Sequence, residues 1–333
     1  MKYRSANILI SGCVTAFLLL CLTFTLSQWI PIDPTLTLIS DSASAESYQQ
    51  ARETLGVDLP IWKQTANYFL RLLHGDLGMS VMTSNPVSTD LFRVFPATLE
   101  LATIALLIGI VGGIPVGVMA AWRPRSFWNV LVQLQVVIYS IPTFVLGILA
   151  LLLFYVSLQW TGGPGRIDVL YADYPTSSGS LLLDSAFHGD WDVFRNAFSH
   201  IILPASILGL FNMASLSRMT RSLVLEQLSQ PYILTATLKG LSPSLVLWKH
   251  AFRNVYLPLL TVIMMSFASL LEGAIIIETV FAWPGLGSYL TQSLMLLDYH
   301  AFLGATLLVG VIFIGFNIAV DLLSTKIDPR VAQ

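Results

Sequence analysis

The chain has 333 residues, of which 55% are apolar and 11% charged, with a formal net charge of −2. Soluble domains carry about 25% charged residues; with a mean hydropathy of +0.73, this composition specifies a multi-span α-helical membrane protein. The near-neutral balance gives no basic surface for nucleic acid.

Lys2 and Arg4 precede an apolar run from about Asn7 to Ile30. Its length exceeds the roughly 7–15 apolar residues of a cleaved leader, and the A-x-A site at Ala43–Ala45 lies too far beyond it. Residues 1–30 are therefore expected to hold a short tail and the first span. Cys13 and Cys21, at i and i+8, stand about 12 Å apart along a helix, beyond disulfide reach. Residues 31–95 form a polar segment punctuated by Pro34, Pro60 and Pro86. Helical periodicity over Ser47–Leu55 and Trp62–Leu73 predicts a small extracytoplasmic cap.

The second span is expected at about Thr98–Ala121. Ala105, Gly109, Gly113 and Gly117 recur every four residues, a ladder that lets a neighbouring helix approach closely; internal packing is the preferred reading. Trp122-Arg123-Pro124-Arg125 makes a basic turn. A third span, about Trp128–Leu158, carries Pro142, which removes a backbone bond and should kink it. Such a break is tolerated in lipid where it faces protein or a water-filled path. Tyr139, Ser140, Thr143 and Phe144 either line a passage or mark a purely structural kink. Residues 159–195 form a second outer loop in which His188 lies among acids without metal-ligand spacing, and is read as a solvated loop residue.

The fourth span is expected at about Ser199–Ser222, the fifth at about Val255–Val280 and the sixth at about Phe302–Leu323, followed by a cytoplasmic tail, 326–333. The fifth contains two carboxylates, and an intramembrane carboxylate is a functional candidate by default. Glu278 lies near the outer end, where headgroups or a protein partner can solvate it. Glu272, about two turns deeper, reads as a hydrogen-bonded structural residue, a polar lining of a substrate path, or a proton-coupling site.

Tyr232–Pro258, between the fourth and fifth spans, reads as two short helices broken at Gly240-Leu241-Ser242-Pro243. Glycine accepts the left-handed conformation that ends a helix. Serine then caps the next one, and proline fits its first position. Leu245, Trp248 and Phe252 follow at i, i+3, i+7 with Lys249, His250 and Arg253 between them, an amphipathic helix with a basic side. From the pattern alone this is a surface helix resting on lipid or on a partner.

Six spans place both termini on one side. Putting the termini and loops 122–127 and 223–254 in the cytosol collects Lys2, Arg4, Arg123, Arg125, Arg218, Arg221, Lys239, Lys249, Arg253, Lys326 and Arg330 there. Arg52, Lys63, Arg71, Arg93, Arg166 and Arg195 fall outside, so the positive-inside bias is satisfied. No phosphate-binding loop, H-E-x-x-H, G-x-S-x-G or paired-cysteine motif occurs. Uphill movement would draw on an ion gradient or a separate ATPase, and no cofactor is expected.

Several stretches, in order, resemble the oligopeptide/dipeptide/nickel permeases of ABC importers. They are Glu53-Thr54-Leu55-Gly56-Val57-Asp58-Leu59-Pro60, His74-Gly75-Asp76-Leu77-Gly78 with Ser80, and Phe95-Pro96-Ala97-Thr98-Leu99-Glu100. Gly113-Ile114-Pro115-Val116-Gly117, Ser140-Ile141-Pro142-Thr143-Phe144 and His200-Ile201-Ile202-Leu203-Pro204-Ala205 follow. The last are Lys239-Gly240-Leu241-Ser242, Glu278-Thr279-Val280-Phe281-Ala282-Trp283-Pro284-Gly285-Leu286-Gly287 and Asp328-Pro329-Arg330. Gly165–Tyr171, with Leu182-Leu183-Asp184-Ser185, looks like the dipeptide and antimicrobial-peptide-sensitivity branches.

The resemblance implies an all-α integral membrane protein with the six-span type I ABC-importer permease fold and a helical extracytoplasmic segment. Residues 96–325 would be its transmembrane core, in a bacterial inner membrane. It implies a second homologous permease, two ATP-binding subunits that hydrolyse ATP, and an external solute-binding protein. It places residues 223–254 in a groove on the ATPase, through Tyr232, Ala236, Lys239, Gly240, Leu241, Ser242, Trp248, Lys249, Phe252 and Arg253. Trp248 and Phe252 would be buried anchors, with Lys249 and Arg253 at the rim. Tyr139, Ser140, Thr143, Phe144 and Glu272 would line the path of a peptide or similar solute. A gradient-driven carrier and a membrane scaffold without transport remain as alternatives.

Overall fold

The computed structural model describes residues 2–29, 49 and 59–327. The predicted helix at Ser47–Leu55, the Ala43–Ala45 site, most of the Glu53–Pro60 stretch and Asp328-Pro329-Arg330 with the end of the tail lie outside the described residues. Within them the chain is helical, apart from turns and one isolated bridge between Met79 and Pro86.

In chain order the helices are α1 (Lys2–Trp29), α2 (Ile61–Leu73), α3 (Val87–Trp122), α4 (Phe127–Tyr139) and α5 (Thr143–Ala150). Wide π-type turns over Leu151–Ser157 continue α5. Then come α6 (Leu181–His188), α7 (Trp191–Leu228) and α8 (Pro231–Leu238). Next is α9 (Pro243–Val280), with a π-type stretch at Val246–Ala251. α10 (Leu286–Met295) and α11 (Tyr299–Ile327) complete the chain.

Among the described residues, four helices, α3, α7, α9 and α11, are long and apolar enough to cross a membrane. The expected third span is not one kinked rod: α4 and the extended α5 meet at 97°. Pro142 has no N–H to continue the ladder and drives the residue before it out of helical conformation. The pair supplies a fifth span if the two arms cross together. α1 contributes a shorter apolar stretch, Ile10–Thr25. The segment between the fourth and fifth expected spans also differs from two free helices. Only α8 is separate; from Pro243 the chain runs without interruption into the span. The expected boundary at residue 95/96 falls inside α3, which already starts at Val87.

The centre is the α3–α7 pair, joined by the ladder of small residues. A Cβ on Gly113 would stand 2.9 Å from the Met213 carbonyl oxygen, and one on Gly117 would stand 2.5 Å from that of Ser217. Glycine is what allows these backbones to meet. Leu101 and Ala105 of α3, Ile201 and Leu208 of α7, and Ala274 and Ile277 of α9 form the main core. Ser217 donates to buried Gln135, at 2.5 Å, tying α4 to α7. α1 lies on α11, with Gly12 under Ile318 and Gly310 under Leu19. Cys13 and Cys21 are both free thiols.

Buried carboxylates tie the connecting segments to the long helices. Asp298 accepts from Ser80 Oγ at 2.6 Å and from the Met82 amide at 3.0 Å, and it caps α11 through the Ala301 amide at 3.2 Å. Glu100 pairs with Arg166 at 2.5 Å and accepts from the Leu182 amide at 2.9 Å. Asp184 of α6 accepts from the Ser177 hydroxyl and the Ser178 amide. Burial alone would raise its pKa; these bonds outweigh that and hold it below the ordinary carboxylate value. His188 Nδ1 lies 2.6 Å from the Asp184 carbonyl oxygen, an internal contact rather than a ligand position.

Two outcomes are expected. Gly117→Ala forces a methyl against backbone and should cost about 1–3 kcal/mol, read as a lowered melting temperature in detergent. Gly315→Ala, where a Cβ meets nothing within 4 Å, should leave it unchanged. Because the Asp184 carboxyl is depressed in the fold, its stabilisation is full above the unfolded value of about 4 and is lost as pH falls through the folded value. Amide exchange in residues 177–190 should therefore accelerate only in acid, and Asp184→Asn should abolish that acid step.

Candidate functional site

Two regions converge on α7 and α9. The first is the turn joining α8 to α9. Gly240 has φ +78° with open space around it, and its amide donates to the Thr237 carbonyl at 3.0 Å. Ser242 Oγ then accepts from the Leu245 amide at 3.4 Å, and Pro243 occupies the first helical turn. Stop, cap and start thus fall on the residues that encode them.

The buried face of the new helix is not the expected stripe. Val246 and Ala251 pack with Ile233 and Ala236 of α8. Leu247 and Val255 pack with Val118 of α3 and Val224 of α7, with Phe252 against them. Leu245 and Trp248 face outward, Trp248 at 48% exposure and edge-on to Phe252 with ring centres 5.3 Å apart. The wide turn over Val246–Ala251 advances less than 100° per residue, so the buried face drifts off the i, i+3, i+7 line. Leu234 and Leu238 of α8 are exposed as well. Lys239, Lys249 and Arg253 of the same stretch are exposed, and Leu241 packs against the cluster formed by Ile233, Ala236, Val246 and Ala251. Tyr232 is fixed from both sides: its hydroxyl donates to Gln227 Oε1 at 2.9 Å and accepts from Asn254 Nδ2 at 3.0 Å.

The second region is a cavity of about 720 Å³ between the α4–α5 break, α7 and α9. Tyr139, Ser140 and Thr143 line it, facing Phe211, Asn212 and Ser215 of α7 and Ser266, Ser269 and Gly273 of α9. The Tyr139 ring lies 5.6 Å from Phe211, and the Arg218 guanidinium sits 5.0 Å above it. Phe144 is exposed and stands outside this wall. Glu272 is also apart from it, in a narrow recess with Phe95, Thr98, Leu286 and Phe313. Of the five path residues read from sequence, three are brought together and two are not. Among the described residues, no group of three or more His, Cys, Asp or Glu could hold a metal ion.

Glu278 differs from the sequence expectation. It is fully buried and solvated by its own chain rather than by headgroups. Thr98 Oγ1 donates to its Oε1 at 2.6 Å, and the Ser288 amide donates to Oε2 at 2.9 Å. Thr98 in turn accepts from the Leu286 amide at 2.7 Å, and Trp283 Nε1 donates to the Ala97 carbonyl at 3.0 Å. Gly285 and Gly287 leave room for the carboxylate; a Cβ on Gly285 would fall 2.4 Å from Oε1. This knot fastens the outer end of α9, and the turn into α10, to α3.

Comparison with known proteins places these features in context. Residues 113–333 match the family described as binding-protein-dependent transport system inner membrane component, and residues 6–102 match its N-terminal membrane component. The chain is 40% identical over 314 residues to the probable D,D-dipeptide transport system permease protein DdpB of Escherichia coli (strain K12), covering 94% of this chain and 92% of that one. It is 40% identical over 316 residues to the dipeptide transport system permease protein DppB of the same strain, covering 93% of each. It is 38% identical over 319 residues to the di/tripeptide transport system permease protein DppB of Pseudomonas aeruginosa (strain UCBPP-PA14), covering 95% of each.

The knot yields a direct expectation. Thr98→Val strips a donor from Glu278 and an acceptor from Leu286, each worth about 1–3 kcal/mol when left buried and unpaired. The variant should melt well below wild type in detergent, whereas Thr98→Ser should stay close to it.

Proposed function

Because the chain belongs to the family of binding-protein-dependent transport system inner membrane components, we propose that it forms half of the solute path of an ATP-driven peptide importer. Membership makes it a permease subunit of an ABC importer; the solute, the partners and the coupling route are the proposed part. Peptide is favoured because the similar permeases named above are those of dipeptide and tripeptide systems. The partners are a second homologous permease, two ATP-binding subunits and an external solute-binding protein. α1, α3, the α4–α5 pair, α7, α9 and α11 are six spans of a bacterial plasma membrane. Both termini are cytoplasmic, residues 31–95 lie outside, and 96–325 form the core.

The observation that carries this reading is the exposure of Trp248 near the start of α9, with Leu234 and Leu238 exposed on the preceding helix α8. Exposed leucines and a tryptophan in one stretch with exposed Lys239, Lys249 and Arg253 suit a protein groove, with aromatic anchors at the centre and charge at the rim. α9 continues from Trp248 to the cavity wall at Thr261–Gly273. A displacement delivered at Trp248 by closing ATP-binding subunits is thereby carried along one helix to the solute path, a rigid-body change. ATP hydrolysis belongs to the partner subunits.

Affinity purification from native membranes tests this. Wild type should bring down the second permease and two ATP-binding subunits. Gly240→Pro combined with Trp248→Ala should keep the permease and lose the ATP-binding subunits. Wild type arriving alone in an assembly-preserving detergent, or the double variant retaining its ATP-binding subunits, would contradict the proposal.

A further inference from the structure

The cavity wall contains one polar side chain that the account of coupling leaves unused. Asn212 sits near the middle of α7, lines the cavity and is only 6% exposed. Neither its Oδ1 nor its Nδ2 has a hydrogen-bond partner. Burying a carboxamide with both ends unpaired is unfavourable, and an apolar side chain of similar size would fill the space without that penalty. The surroundings make room for it. Gly109 lies across from it on α3, and a Cβ there would stand 3.0 Å from Asn212 Cγ. Ser140, Ser215 and Ser269 bring hydroxyl side chains to the same wall.

A carboxamide offers one carbonyl acceptor and one NH₂ donor, the complement of the N–H and C=O of a peptide group. We infer that the Asn212 carboxamide is a hydrogen-bonding contact for the amide backbone of the solute passing through this cavity. Such a contact serves a carrier of varied peptides, because it engages the atoms all peptides share and ignores their side chains. It rests on the peptide-importer reading. Both polar atoms are covered in this conformation, so the contact forms when the wall opens beside them. The 97° break at residues 140–142, in the same wall, supplies a place for that movement.

The test uses the complete transporter in proteoliposomes with one solute-binding protein throughout. Uptake of alanyl-alanine is compared with uptake of its analogue methylated on the peptide nitrogen, which cannot donate there. Discrimination by the binding protein is common to all variants and cancels in the ratio. Asn212→Leu should lower alanyl-alanine uptake roughly five- to tenfold, and lower uptake of the methylated analogue, which keeps only the carbonyl contact, by a clearly smaller factor. Asn212→Ser, which keeps one polar atom, should fall between; it decides by the same ratio if the leucine variant does not accumulate. Equal losses for both solutes, or loss of the second permease on purification, would make Asn212 a structural or subunit contact and overturn the inference. Unchanged uptake of both would do the same. A variant without effect in a wild-type background that imports the dipeptide removes only this contact. A wild-type complex that turns over ATP and imports neither solute overturns the peptide reading, and this contact with it.

Discussion

The backbone-to-backbone contact of α3 with α7 is the constraint on which the other placements depend. Lipid offers no hydrophobic drive between helices, so close packing of small residues carries the association. Here Gly113 and Gly117 meet carbonyl oxygens of the facing helix directly. The contact brings Ile201 and Leu208 into one core with Leu101, where Ala274 and Ile277 of α9 join them. It also places Gly109 opposite Asn212. Buried polar groups then fix the ends: Ser217 with Gln135 at one, and Thr98 and Glu278 with Asp298 at the other. An unpaired polar group is expensive in such surroundings, and each of these pairings therefore specifies one arrangement rather than several.

The continuity of α9 gives this frame its functional meaning. A helix that begins at Pro243, passes the exposed Trp248, lines the cavity and ends in the Glu278 knot links an inner surface to an outer turn in a single element. The knot holds one end of α9, while Trp248 near the other is exposed. Permease subunits of importers must turn an event at the cytoplasmic face into a change in the solute path. One continuous helix pinned at its far end, with Pro258 and the wide turn at Val246–Ala251 as its points of bending, is a direct way to do so. The broken α4–α5 pair completes the arrangement, since a proline gap in the facing wall is where that wall can yield.

Much of this was legible in the chain itself. Apolar length marked α3, α7, α9 and α11, and Gly240, Ser242 and Pro243 marked the inner turn to the residue. The spacing of Gly109, Gly113 and Gly117 announced a close helix contact. What escaped notice depends on long-range partners. Glu278 read as an exposed end-of-span acid because Thr98, its donor, is 180 residues away in the chain. The residues that α9 buries against its own chain, Val246, Leu247 and Ala251, were not read from sequence, because a regular 3.6-residue turn was assumed where the helix is wide. Phe144 was grouped with Thr143 by nearness in sequence, but neighbouring residues of a helix point about 100° apart, and only Thr143 lines the cavity. Glu272 was assigned to the path by charge alone, which does not say which side of α9 it occupies. Asn212 left only a faint signal, a lone amide inside the apolar run Leu208–Leu216.

The central claim is that the inner turn of α9 is a docking surface for an ATP-binding subunit. The most direct measurement places a photoreactive benzophenone side chain at position 248 of the assembled protein in its native membrane and identifies what it captures on illumination. A covalent adduct with an ATP-binding subunit is expected, with a yield that changes between nucleotide-free and ATP-trapped states. Capture of lipid alone, or of a protein that faces the outside, would contradict it.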